Sequence, residues 1–167
     1  SPEEYALVAN DHMEERTSRL YRMYQERLEG FQALDFDDLL VGTVHLFERH
    51  PEVLAAYHDL WRYILVDEYQ DINEDHYNLI SALAGRALNS EEDKLSLLVV
   101  GDDDQNIYAF GGANVSFIRQ FESDYQAKRY HLLENYRSTA HIIDCANRVI
   151  GKVRDRMKHG QEIRVDY

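Results

Sequence analysis

Little in this chain suggests a stapled, fibrous or membrane-embedded protein. It has one cysteine, Cys145, so no internal disulfide can form, which points to a reducing compartment and a cytoplasmic location. Two prolines and eight glycines among 167 residues exclude collagen-like and low-complexity tracts. Long apolar runs are missing as well. Purely aliphatic runs such as Leu97–Val100 and Ile64–Val66 fall far short of the roughly 20 residues that a spanning helix needs, so no membrane contact is expected. The opening Ser1-Pro2-Glu3-Glu4 lacks the basic start and apolar stretch of a secretory signal. Positive charge is scarce: 18 Lys+Arg face 31 Asp+Glu, a net of −13, which repels a polyanion at long range.

What is present fits a globular chain, with 44% hydrophobic and 29% charged residues. The length suits one ordinary domain, or one domain and the start of a second. Charge divides unevenly along it. Residues 1–126 carry 9 basic and 26 acidic side chains, whereas residues 127–167 carry 9 and 5, so the sign changes near Ala127. Any contact with nucleic acid is therefore expected to be local.

Periodicity predicts helices first. Val8, Met13, Leu20, Tyr24 and Leu28 recur at helical spacing from Glu3 to Glu29, with Gly30 as a stop. Asp35 caps a second helix that carries Phe36, Leu39, Leu40, Val44 and Phe47. Pro51 opens a third, reaching about Arg62. Then the pattern changes. Tyr63–Val66 reads as a short buried strand, Asn73–Leu88 as helix, and Leu95–Val100 as a second buried strand. A helix near Asn114–Glu122, a strand near Lys128–Leu133 and a helix from Ser138 to about Lys152 follow. Apolar strands alternating with helices indicate a parallel, doubly wound sheet.

In open α/β sheets, ligands bind beyond the carboxyl ends of the strands, so the residues that follow each strand are the first candidates. Val66 leads into Asp67-Glu68, Val100 into Gly101-Asp102, and Leu133 into Glu134-Asn135-Tyr136-Arg137. A carboxylate there can hold Mg²⁺ and a neighbouring one can accept a proton from an attacking water, roles that fit Asp67 and Glu68. Gln105 can hydrogen-bond a terminal phosphate or that water, and Arg137 can neutralise charge that develops in phosphoryl transfer. Singly, each has a bland reading: a chance strand end, a solvated turn at Asp102–Asp104, a surface cation at Arg137.

Their order changes the weighting. Tyr63-Ile64-Leu65-Val66-Asp67-Glu68-Tyr69-Gln70-Asp71, then Leu98-Val99-Val100-Gly101-Asp102-Asp103-Asp104-Gln105-Asn106-Ile107-Tyr108, then Leu133-Glu134-Asn135-Tyr136-Arg137-Ser138-Thr139 resemble three successive motifs of the UvrD/Rep-type superfamily 1 DNA helicases. Asp35-Phe36-Asp37-Asp38-Leu39-Leu40 is similar to the segment preceding them. The likeness runs from about Phe31 to Ile150. It implies an α/β fold: part of a RecA-like P-loop NTPase motor domain, with a partial parallel sheet and helices, plus an N-terminal helical subdomain segment. Residues 1–50 would belong to the inserted helical subdomain and its return, 51–134 to the later part of the first motor domain, and 135–167 to the start of the second. By the same resemblance Asp67 coordinates Mg²⁺, Glu68 activates water, Gln105 senses the γ-phosphate of ATP and Arg137 acts as an arginine finger. Tyr108 and Phe110 match positions whose rings stack on bases of single-stranded DNA.

Two departures qualify the match. The family usually follows this aromatic with Arg-Gly-Ala, whereas Phe110 precedes Gly111-Gly112-Ala113. Nowhere is there a Gly-x-x-x-x-Gly-Lys-[Ser/Thr] loop, the cradle of the β- and γ-phosphates. The chain is therefore read as an internal piece of an ATP-driven DNA helicase acting in repair or replication, inactive alone and prone to self-association, its partners being single-stranded DNA and the remaining helicase domains. A non-catalytic DNA-binding or scaffolding module of the same fold is the alternative. A third option is a metal-dependent hydrolase built from Asp67, Glu68 and Asp102–Asp104. The basic stretch Lys152, Arg154, Arg156 and Lys158 reads either as a solvated helix end or as a contact with DNA phosphates.

Overall fold

The computed structural model describes residues 1–88, 94–106 and 114–165. The chain divides into two compact units, Ser1–Arg49 and His50–Tyr167.

The first unit is helical. Helix α1, Pro2–Val8, starts from a capping box in which the Ser1 hydroxyl accepts the Glu4 N–H. Helix α2, His12–Gly30, is capped separately by Asp11, whose carboxylate accepts the Glu14 N–H at 2.8 Å. The single helix expected over residues 3–29 is thus two. Ala9 is extended and Asp11 offers a better start than continuation through Asn10, since short polar side chains compete with the helical backbone. Tyr5 meets Tyr21 edge to face at 6.4 Å, which fastens α1 to α2. Helix α3, Phe36–Arg49, begins with a reciprocal cap: Asp38 N–H donates to Asp35 at 2.8 Å and Asp35 N–H to Asp38 at 3.1 Å.

The second unit holds the sheet. Helix α4, Pro51–Leu60, starts on its proline. Strand β1, Tyr63–Val66, pairs in parallel with strand β2, Ser96–Val99, in the register Tyr63 to Ser96 through Val66 to Val99. Helix α5, Glu74–Leu83, connects them, capped by Asn73 and ended short of Leu88 where Gly85 turns to φ +73°. Helix α6, Ser116–Tyr125, and helix α7, Ala140–Ile150, follow. Tyr69, Ile72, Ile80, Ile118 and Phe121 form the core, with Val66, Leu97 and Val99 packed against it. Among the described residues no helix is long and apolar enough to cross a membrane.

Two expectations need correction here. The strands are buried on one face only: Ile64, Val66, Leu97 and Val99 turn inward while Tyr63, Leu65 and Leu98 are exposed. Lys128–Leu133 is not a strand of the sheet, which has two strands among the described residues. Leu133 and Asn135 instead exchange backbone bonds with Arg164 around an isolated parallel bridge at Glu134. A strand needs a partner's ladder, and among the described residues this segment meets one that is a single residue deep.

Candidate functional site

The carboxyl ends of β1 and β2 lie side by side because the parallel ladder continues past both strands. Val100 N–H donates to the Val66 carbonyl at 2.8 Å, and Tyr69 N–H returns to the Val100 carbonyl at 2.9 Å. Asp67 and Glu68 therefore leave β1 next to Gly101 and Asp102 leaving β2. The chain turns at once: Glu68 takes a left-handed conformation at φ +52°, its N–H donates to Asp67 Oδ1 at 2.9 Å, and Tyr69–Asp71 form a 3-10 turn. Both carboxylates are exposed. Asp103–Gln105 form a second 3-10 turn, opened by Asp102, whose side chain accepts the Asp104 N–H at 3.0 Å.

One side chain joins the two loops. Gln70, only 1% exposed, donates from Nε2 to Glu68 Oε2 at 2.7 Å and to Asp71 Oδ2 at 3.3 Å. Its Oε1 accepts the Asp102 N–H at 2.9 Å, and its own carbonyl accepts from Asn106 Nδ2. Asp102 Oδ2 in turn accepts from Gln105 Nε2 at 3.0 Å. A hydrogen-bonded path thus runs from Glu68 through Gln70 and Asp102 to Gln105. Gly101 makes room for it. A Cβ there would lie 2.7 Å from Gln70 Oε1 and 2.8 Å from Ile118 Cδ1.

Asp102, Asp103 and Asp104 offer carboxylate oxygens within 4.8 Å of one another. Each already has a cation: Lys158 on Asp102 at 2.6 Å, Arg119 on Asp103 at 3.5 Å and Arg156 on Asp104 at 2.6 Å. The hydrogen bonds from Arg156, aided by Lys158, hold the Asp104 carboxyl below the usual carboxylate range against the opposing effect of burial. Beneath the loops, burial pushes the Tyr69 phenol well above its ordinary range.

The structure brings Asp67, Glu68 and Gln105 to one edge. Arg137 stands on a different support. The Asn135 side chain accepts the N–H groups of Arg137 and Ser138 at 3.1 and 2.7 Å, an Asx turn that leads the chain toward α7 and leaves Arg137 exposed. Its guanidinium makes no ion pair among the described residues. Tyr108, Phe110 and Gly111 lie outside the described residues.

Residues 1–126 match the UvrD/REP helicase N-terminal domain. The chain belongs to the UvrD/Rep helicase family. It is 44% identical over 161 residues to the ATP-dependent DNA helicase PcrA of Staphylococcus epidermidis, an alignment covering 96% of this chain and 21% of that protein. The PcrA of Leuconostoc citreum is 43% identical over 157 residues, covering 93% and 20%, and that of Staphylococcus aureus 42% over 161 residues, covering 96% and 21%. The chain spans about a fifth of the length of these relatives.

In this UvrD/Rep-family chain, sequence reasoning passed over two residues that organise the site, Gln70 and Gly101. Both stand inside the motifs quoted above. Gln70 carried no periodic or charge signal, because its importance comes from enclosure between two loops far apart in sequence.

Proposed function

We propose that these residues form part of an ATP-driven motor that moves along single-stranded DNA in the cytoplasm, in repair or replication. One observation carries the reading: the path from Glu68 through Gln70 and Asp102 to Gln105, at the carboxyl edge of two parallel strands in a UvrD/Rep-family chain. The RecA-like motor fold belongs to this proposal, as does the division into a helical segment at 1–50, first-motor residues at 51–134 and second-motor residues at 135–167.

Asp67 suits Mg²⁺: it is an exposed carboxylate at a strand end, with Oδ1 turned back onto the Glu68 N–H. When bound with ATP, the ion neutralises charge on the phosphate oxygens. Glu68 accepts the proton of the attacking water, held in place by the Gln70 amide. Gln105 reports on the terminal phosphate by exchanging its Asp102 contact for a phosphate oxygen. Arg137, exposed beside α7, supplies positive charge as phosphoryl transfer proceeds. Tyr108 and Phe110 grip bases. The phosphate cradle comes from residues beyond these 167, since no Walker-type loop stands among them.

The test is Glu68→Gln in the polypeptide that contains the cradle. DNA-stimulated ATP hydrolysis falls by roughly 10²–10⁴-fold, the usual contribution of a general base, while nucleotide binding persists. Unimpaired hydrolysis refutes the assignment. The 167-residue chain alone should not hydrolyse ATP. Gly111, in place of the family's arginine, favours a second reading as a non-catalytic DNA-binding module, for which Glu68→Gln changes nothing that can be measured.

A further inference from the structure

The basic stretch after α7 goes neither to solvent nor to an open surface at two of its four cations. Arg156 grips Asp104 with a fork: Nε lies 2.8 Å from Oδ1 and Nη2 2.6 Å from Oδ2, and both side chains are 11% exposed. Lys158 Nζ is 2.6 Å from Asp102 Oδ1 and 3.5 Å from Asp104 Oδ2. Between them the Met157 N–H donates to Asp103 Oδ2 at 2.9 Å, and the Met157 side chain packs on the core. Arg119 of α6 closes the ring, bonding Asp155 through its carboxylate at 2.5 Å and its carbonyl at 3.1 Å. Residues 155–158 are thus attached, one after another, to the loop following β2 or to α6.

We propose that Arg156 and Lys158 are positioning residues, a clamp that ties the Gln105 loop to the segment beyond α7 and so couples the phosphate-sensing side chain to the element that follows Arg137. The role given to Gln105 rests on the function proposed above; the clamp itself rests on geometry. Asp102 is the shared member, since it holds Lys158 through one carboxylate oxygen and Gln105 through the other. A planar guanidinium meeting a carboxylate through two parallel bonds fixes orientation as well as distance. Removing one partner of a pair enclosed to this degree leaves a charge poorly solvated, so the loop must move. A DNA phosphate would have to displace two carboxylates, Asp102 and Asp104, from these cations, in a field the same carboxylates make unfavourable.

The experiment is a charge-reversal cycle in the full-length polypeptide: D104R, R156D and the double variant. Hydrogen exchange at the Asp104 and Gln105 amides reads the clamp directly, because both amides bond to Asp102 in the closed loop. The kcat and KM of ATP hydrolysis and the affinity for a single-stranded oligonucleotide read its consequence. Each single reversal should lose amide protection and lower kcat by roughly tenfold, the scale of coupling between contacting charges, with KM and oligonucleotide affinity nearly unchanged. The double variant should recover most of both. R156Q removes the charge and the Nη contacts while leaving a polar side chain, and serves if a reversal does not fold. Retained protection in R156D or R156Q, no recovery in the double variant, or weakened oligonucleotide binding at unchanged kcat would each overturn the clamp. If Glu68→Gln proves active, the ATP reading falls and hydrogen exchange alone decides the clamp.

Discussion

Gln70 and Tyr69 are the two most deeply enclosed large side chains among the described residues, and they sit directly beside an exposed carboxylate. The core therefore reaches up to the carboxyl edge of the strands and presents a polar amide there. That amide uses both of its N–H donors and its carbonyl oxygen in holding Glu68, Asp71 and the Asp102 backbone. Glu68 also pays a conformational cost, since a left-handed φ of +52° is rare outside glycine, and the Gln70 contact helps to retain it. Gly101 is the complementary condition. Gly101→Ala would drive a methyl group against Gln70 Oε1 and Ile118 Cδ1, and should destabilise the fold by about 1–3 kcal/mol. Urea unfolding checks this; a midpoint equal to that of the parent chain would show that the loops yield without strain.

Helix α5 carries Tyr77 and Ile80 toward the core and connects the two strands. Its start depends on Asn73, whose Oδ1 accepts the His76 N–H at 3.0 Å. Asn73→Ala should cost about 1 kcal/mol, measured as a shift in the urea midpoint at unchanged slope, and an unshifted midpoint would mean that the first turn is held by packing alone. Elements of this kind were legible in the sequence because their signals are local. Asp35, Pro51 and Asn73 mark helix starts, and the runs Tyr63–Val66 and Leu95–Val100 mark strands. Asp67, Glu68 and Gln105 were legible in the same way, as polar residues after those runs. What was not legible depends on partners. Lys128–Leu133 has strand-forming residues but, among the described residues, meets only the one-residue bridge beside it. Arg156 and Lys158 look like an ordinary basic helix end until Asp102 and Asp104, some 50 residues away, are placed beneath them. Whether a strand's outer face is covered is also decided by chain elsewhere, which is why Leu65 and Leu98 read as buried and are not.

For the molecule as a whole, the exposed face of the sheet, and edges that no strand pairs among the described residues, predict an encounter with a second copy. Tyr63 and Leu65 are 74% and 75% exposed, beside Leu98 at 53%. Light scattering across a wide concentration series should show mass rising with concentration, and Leu65→Glu should suppress the rise; a steady monomer contradicts this. Acid acts on a different part of the same chain. Because Arg156 and Lys158 lower the Asp104 pKa in the folded state, folding is favoured by the ionised form, and that contribution is full above the ordinary carboxylate range. It is lost as pH falls through about 3.9 toward the lower folded value, since protonation removes the acceptor charge facing Arg156 and Lys158 and leaves both beside Asp102 and Asp103 alone. Asp104→Asn should therefore be less stable than the parent chain at neutral pH, with the gap narrowing as pH falls below the ordinary carboxylate range. Thermal melting of both proteins over that range tests the sign: a gap that persists undiminished in acid would show that Asp104 supports the loop by shape and not by charge.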